Sequence, residues 1–139
     1  MTKNPIYKYQ SVMLVDDNEI DNIINQKMIE ATAFAEKIYV FGGSMSALDF
    51  LKNLDKANGI SQENIPSLLF LDINMPMLDG FQFLDEFNKL SKNLKSQIKI
   101  LMLSSSISER DLNRASDSPF IVQYVNKPLS IPTLKEINI

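Results

Sequence analysis

Short apolar runs alternate with amphipathic segments along the whole chain. The runs are a few residues long and rich in β-branched and aromatic side chains, which is the pattern of strands buried in a core. They cover Ser11–Val15, Lys37–Phe41, Leu68–Leu71, Ile98–Leu103 and Phe120–Val125. We predict a strand in each of these places.

The segments between these runs have the spacing of amphipathic helices. After the first run, Asn18 is placed to cap a helix whose apolar residues recur every three or four positions. Those apolar residues are Ile20, Ile23, Ile24, Met28 and Ala31. Further helices are predicted from Met45, Leu48 and Leu51, from Phe81, Leu84, Phe87 and Leu90, over about residues 108–115, and after Pro132.

Strands that alternate with helices predict an α/β fold, because a parallel strand pair needs a crossover connection and the crossover is usually a helix. The expected architecture is a doubly wound, five-stranded parallel sheet with helices on both faces, as continuous runs such as LLFL and ILML indicate. Residues 1–10 form a polar N-terminal tail, and residues 11–139 are expected to form one domain. Ligands of such sheets bind at the carboxyl ends of the strands.

Composition narrows the chemistry that this domain can perform. The formal net charge is −3 and Lys and Arg form no run, so direct nucleic-acid binding is not expected. The chain contains no Cys and no His, which excludes thiol nucleophiles, thiolate metal sites and the usual general base. It shows no signal peptide pattern and no apolar stretch long enough to span a membrane, so we expect a cytoplasmic protein without membrane contact.

The predicted strands end on polar residues at one edge of the sheet. Asp16 and Asp17 follow the first strand, Asp72 the third, Ser104 the fourth and Lys127 the fifth. Carboxylates that converge repel one another, and a hard divalent cation such as Mg²⁺ is the simplest way to compensate them. A carboxylate beside a metal, an ammonium and a hydroxyl suggests phosphoryl transfer to Asp72.

The ordered motifs VDDNE, FLDINMPMLDG, LMLSSS and YVNKP resemble the response-regulator receiver domains of two-component signalling, of the kind found in chemotaxis regulators. The likeness runs from about Ser11 to the end of the chain and implies a flavodoxin-like receiver fold. It implies that Asp72 is the phosphoacceptor and that Asp16, Asp17 and Asp72 hold Mg²⁺, with Asp17 rather than Asp16 the direct ligand of the acidic pair. The residue at Asn74 would give the metal its backbone carbonyl.

The resemblance also assigns roles on the last two strands. Ser104 matches the hydroxyl that moves toward the phosphoryl group, and Tyr124 matches the aromatic switch residue. Lys127 matches the family's invariant lysine. The Lys127–Pro128 peptide bond would be cis, as such bonds are found essentially only before proline.

The implied function is that of a phosphoacceptor in a two-component phosphorelay, which catalyses only its own phosphorylation and dephosphorylation. Its partners would be a sensor histidine kinase or a histidine phosphotransfer protein and a downstream protein target, and a phosphorylation-dependent homodimer is left open. One alternative is a degenerate receiver that acts as an interaction scaffold without phosphorylation. Another is a metal-dependent aspartyl phosphohydrolase of the haloacid dehalogenase type, which would want an Asp where Asn74 stands.

Overall fold

A computed structural model of the chain describes residues 6–57, 65–105, 113 and 118–139. Its centre is a parallel five-stranded sheet in the order β2-β1-β3-β4-β5. The strands are β1 Tyr9–Val15, β2 Ala35–Phe41, β3 Leu68–Asp72, β4 Lys99–Ser104 and β5 Ile121–Asn126. The predicted α/β, doubly wound architecture is confirmed.

The described helices are α1 Glu19–Ala31, α2 Ser44–Lys56, α3 Gly80–Phe87, α4 Lys92–Lys95 and α5 Ile131–Glu136. Asn18 caps α1 as predicted, since its side chain accepts the Asp21 N–H. The single turn α4 was not predicted, because it is too short to show a helical period. The helix expected over residues 108–115 lies outside the described residues apart from Asn113.

The central strand β3 is buried over its whole length, because helices cover the sheet on both faces. Leu69 and Leu71 pack into the layer that also contains α2 and α3. Leu68 and Phe70 pack on the opposite face, in the layer that includes residues of α1 and α5. Asp72 therefore ends a strand that has no solvated side.

The first strand begins earlier than Ser11, where the sequence pattern placed it. Tyr9 donates its backbone N–H to Phe34 O at 2.8 Å. The two rings also contact each other, with centroids 5.0 Å apart. Tyr9 and Gln10, which the pattern placed in the tail, thus belong to β1 because this aromatic pair extends the sheet pairing.

Helix α1 forms where the sequence predicts it, but three of the apolar residues on which that prediction rests lie outside its buried face. Ile20, Ile23 and Ile24 are 68%, 48% and 38% exposed, while the residues buried on α1 are Asn22, Asn25 and Ile29. The two buried asparagines of α1 form hydrogen bonds with the backbone of neighbouring loops, and Ile29 packs in the core beside them. Among the described residues, no helix is both long and apolar enough to cross a membrane.

Candidate functional site

Four neighbouring strands bring the predicted site residues to one edge of the sheet. Asp16 directly follows β1 and Asp72 is the last residue of β3. Ser104 is the last residue of β4, and Lys127 directly follows β5. Because all these strands are parallel and adjacent, their carboxyl ends open onto one crevice, as the sequence predicted.

The three predicted carboxylates form one acidic cluster. Oxygen atoms of Asp16, Asp17 and Asp72 lie within 4.8 Å of one another. Asp16 and Asp72 are buried, whereas Asp17 is exposed. Carboxylate oxygens at this spacing suit a hard cation such as Mg²⁺, which takes few protein ligands and keeps several waters.

The two carboxylates after β1 are in different positions to bind a metal. Asp16 Oδ1 accepts the Asn18 N–H at 2.9 Å, and Asp16 Oδ2 accepts a hydrogen bond from Lys127 Nζ at 2.7 Å. Asp17 instead faces solvent. Asp16 therefore already has hydrogen-bond partners in the protein, and the assignment of Asp17 as the direct ligand stays a prediction.

Lys127 is the cation of the crevice. Its Nζ lies 2.7 Å from Asp16 Oδ2, 3.1 Å from Asp21 Oδ2 and 3.2 Å from Asp72 Oδ1. Burial alone would lower the pKa of Lys127, but the hydrogen bonds to Asp16 and Asp21 and the charges of the nearby carboxylates outweigh it and raise the pKa above its ordinary value. The side chain is therefore a permanent ammonium.

Asp72 titrates at an unusually high pH for an aspartate. Burial is the main cause, and the charge of Asp16 adds to it, while Lys127 and the Asn74 N–H oppose it. Together they raise the pKa of Asp72 from 3.8 to about 6. Lys127 therefore compensates the charge of Asp72 only in part, and a divalent cation at the acidic cluster would add to that compensation.

Ser104 and Tyr124 lie on the same face of the sheet. Tyr124 is paired with Met102, and Ser104 is two residues further along the same strand. Ser104 is fully buried and its carbonyl accepts the Lys127 N–H at 2.8 Å. Tyr124 is half-buried against the core.

The loops that follow β3 and β5 have special backbone geometry. The Lys127–Pro128 bond is cis, as the resemblance implied. At Gly80, a Cβ atom would lie 2.8 Å from the carbonyl oxygen of Asp72. The first residue of α3 must therefore be glycine for the loop after β3 to fold back this closely, a constraint that the sequence analysis did not identify.

Three residues of α1 belong to the site and were missed in the sequence. Asn22 Nδ2 donates to the Asp16 carbonyl at 2.8 Å, and Asn25 Oδ1 accepts the Leu129 N–H at 2.9 Å. Asp21 is the third, through its ion pair with Lys127. Their spacing places them on one side of the helix, but spacing alone does not show that this side faces the loops.

Comparison with known proteins agrees with this geometry. The chain matches the response regulator receiver domain profile over residues 12–138. It is 32% identical to the "Probable methanogenesis regulatory protein FilR2" of Methanothrix harundinacea, over 89% of this chain and 76% of that protein. It is 27% identical to the sensor histidine kinase CheAY of Helicobacter pylori, over 86% of this chain but 13% of the kinase.

A solved structure also matches closely. The crystal structure of a two-component response regulator from Cytophaga hutchinsonii superposes with a TM-score of 0.79 at 32% identity, covering 91% of each chain. Sequence and fold therefore agree over nearly the whole length of both proteins. This chain belongs to the response regulator receiver domain family of two-component signalling.

Proposed function

We propose that this chain is a phosphoacceptor receiver domain that takes a phosphoryl group on Asp72 with the help of Mg²⁺. The observation that carries the proposal is the surroundings of Asp72. This buried carboxylate lies in a cluster of metal-binding oxygens with Asp16 and Asp17, and 3.2 Å from the ammonium of Lys127. These are the groups that phosphoryl transfer requires around an acceptor.

In the transfer step, a carboxylate oxygen of Asp72 attacks the phosphorus of the donor. The bond from phosphorus to the donor's leaving atom breaks, and the electron pair departs with that atom, which is an imidazole nitrogen if the donor is a phosphohistidine. Lys127 donates to the developing negative charge on the phosphoryl oxygens. Asp16, Asp17 and the Asn74 carbonyl would hold Mg²⁺, which when bound neutralises charge on the same oxygens.

Phosphorylation would then change the face that meets a partner. It adds about two negative charges and three strong acceptor oxygens at Asp72. The hydroxyl of Ser104 moves to meet them, and Tyr124, on the same face of the sheet, turns into the space that becomes available. The surface around β5 and α5 thereby differs between two states, and a partner that binds one of them better shifts the equilibrium.

The phosphoryl donor is a sensor histidine kinase or a histidine phosphotransfer protein, and we propose that it approaches over α1. Ile20, Ile23 and Ile24 form an exposed apolar surface on this helix. Ile23 also lines a groove together with Asp17 and Val40, next to the acidic cluster. An apolar patch bordering a polar crevice is suited to hold a protein donor while its phosphoryl group reaches Asp72.

A phosphohydrolase acting on external substrates is not favoured. Enzymes of that kind use a second carboxylic acid two residues after the nucleophile to protonate the leaving group, and Asn74 stands at that position. A side-chain amide can donate hydrogen bonds, but it is not acidic enough to protonate a leaving group at neutral pH. The chemistry of the crevice is therefore confined to the chain's own acceptor.

The test is mass spectrometry of the intact protein after incubation with acetyl phosphate and Mg²⁺. One phosphoryl group should be added to the wild type and none to Asp72→Asn, and a chelator should abolish the reaction. Asp49→Asn is the matched control, because it removes an exposed aspartate of α2 far from the chemistry proposed and should be labelled like the wild type. Labelling of Asp72→Asn, or no labelling of the wild type, would refute the proposal.

A further inference from the structure

Lys127 has a carboxylate partner outside the acidic cluster. Asp16 and Asp72 both belong to the group of oxygens that can hold a metal, whereas Asp21 does not belong to that group. Asp21 Oδ2 nevertheless lies 3.1 Å from Lys127 Nζ, as close as the acceptor itself. Asp21 stands in the first turn of α1, where its N–H is held by the Asn18 side chain at 3.1 Å.

The contacts of Lys127 equal in number the protons of its ammonium group. An ammonium has three N–H donors, and Asp16, Asp21 and Asp72 each lie within ion-pair distance. A phosphoryl group on Asp72 brings new oxygens that also need Lys127. These oxygens compete for Lys127 with the carboxylates that it already contacts.

Of the three carboxylates around Lys127, Asp21 is the one that competes with the phosphoryl group for the ammonium. Asp16 has the shortest ion pair and its side chain is 1% exposed, so an unpaired Asp16 would be costly. Asp72 carries the phosphoryl group and so contributes to the new contact. Asp21 is 34% exposed and can exchange the lysine for water at little cost.

We propose that Asp21 is a positioning residue that competes with the phosphoryl group for Lys127 and so sets how readily the crevice accepts it. This inference rests on the proposed function of Asp72. Asp21 holds the ammonium on the α1 side in the resting protein, and phosphorylation has to draw it away. Removing the charge of Asp21 leaves Lys127 freer to bind the phosphoryl oxygens.

The test is the affinity for beryllofluoride, a phosphoryl mimic, measured with Mg²⁺ by titration of backbone NMR resonances. Asp21→Asn should bind the mimic about two- to fivefold more tightly than the wild type, the range expected for a partly exposed ion pair. Asp21→Glu restores the charge, and its affinity should return toward that of the wild type. The backbone cap on residue 21 is kept in both variants, because Asn18 binds the main chain.

Glu19→Gln is the matched control for the long-range effect of charge. Glu19 is an exposed acid of the same helical turn, and the ion-pair partners found for Lys127 in the described segments are Asp16, Asp21 and Asp72. The affinity of Glu19→Gln for beryllofluoride should stay closer to that of the wild type than the affinity of Asp21→Asn does. The inference would be overturned if Asp21→Asn bound the mimic no more tightly than the wild type. It would also be overturned if Glu19→Gln gained as much affinity as Asp21→Asn, or if Asp21→Glu kept the gain. Failure of the wild type itself to bind the mimic would instead count against the proposed function.

Discussion

Replacing Asp72 by asparagine should make the metal-free protein more stable at neutral pH. The carboxyl of Asp72 is 3% exposed and lies beside Asp16, so its ionised form is poorly solvated. An asparagine has nearly the same shape and carries no charge to bury. Asp72 is thus a residue that lowers the stability of the metal-free fold, and the variant should measure by how much.

The size of the effect follows from the raised pKa of Asp72. The folded protein holds the proton with a pKa of about 6, against 3.8 for an ordinary aspartate. Because the folded state binds the proton more tightly, stability is greatest at low pH and falls as pH rises from about 4 to about 6. The difference corresponds to about 3 kcal/mol above this window. This figure already includes the favourable ion pair with Lys127, because that ion pair lowers the pKa of Asp72.

The assay is urea denaturation of both proteins at a series of pH values, with and without Mg²⁺. Without metal, the advantage of Asp72→Asn should grow from about pH 4 to pH 6 and stay constant above it. Saturating Mg²⁺ should stabilise the wild type more than the variant, since the cation compensates the carboxylate that the variant lacks. A variant less stable than the wild type at pH 7.5 without metal, or an advantage independent of pH, would refute this account of Asp72.

Three further substitutions test the rest of the crevice. Gly80→Ala should lower the free energy of unfolding in urea by about 1–3 kcal/mol, because its Cβ would lie 2.8 Å from the Asp72 carbonyl oxygen. Gly42→Ala is the control, since there is open space around its Cβ, and its free energy of unfolding should stay within about 0.5 kcal/mol of the wild-type value. In a metal titration, Asp17→Asn should weaken Mg²⁺ binding more than Asp16→Asn does. Equal losses of affinity in the two variants would contradict our assignment of Asp17 as the direct ligand. Lys127→Ala should bind Mg²⁺ more tightly, because a competing cation is gone. It should nevertheless lose the changes in backbone chemical shift that beryllofluoride produces in β5. A wild-type pattern of shift changes would show that Lys127 has only a structural role.

The sequence predicts the centre of the site well because topology does most of the placement. Once strands and helices alternate, the carboxyl ends of parallel strands must meet, and Asp16, Asp72, Ser104 and Lys127 stand at those ends. No side-chain detail is needed for this step. An apolar strand such as β3 that ends on a carboxylate is itself a strong signal, since burying an uncompensated charge is costly.

The contacts of α1 could not be predicted in the same way. Helical spacing locates an apolar face, but it does not say whether that face turns toward the sheet or toward solvent. Here Asn22 and Asn25 turn inward, because backbone groups of Asp16 and Leu129 need partners in a buried place. Asp21 was missed for the same reason, since an acid in the first turn of a helix also fits a purely helical role.

The orientation of α1 affects both the positions of the crevice residues and the surface that a donor protein would meet. Leaving an isoleucine in water forgoes about 1.5–3 kcal/mol relative to burying it, and Ile20 and Ile23 are both about half exposed or more. Rotating the helix to bury them would remove Asn22 from the Asp16 carbonyl and Asp21 from Lys127, and so would release the groups that position the acidic cluster. One helix therefore holds the site with its inner face and exposes an apolar surface beside Asp17 with its outer face. A donor protein bound to that outer surface would meet Asp72 from the side on which Asp17 is open to solvent, so recognition of the donor and positioning of the acceptor depend on the same element.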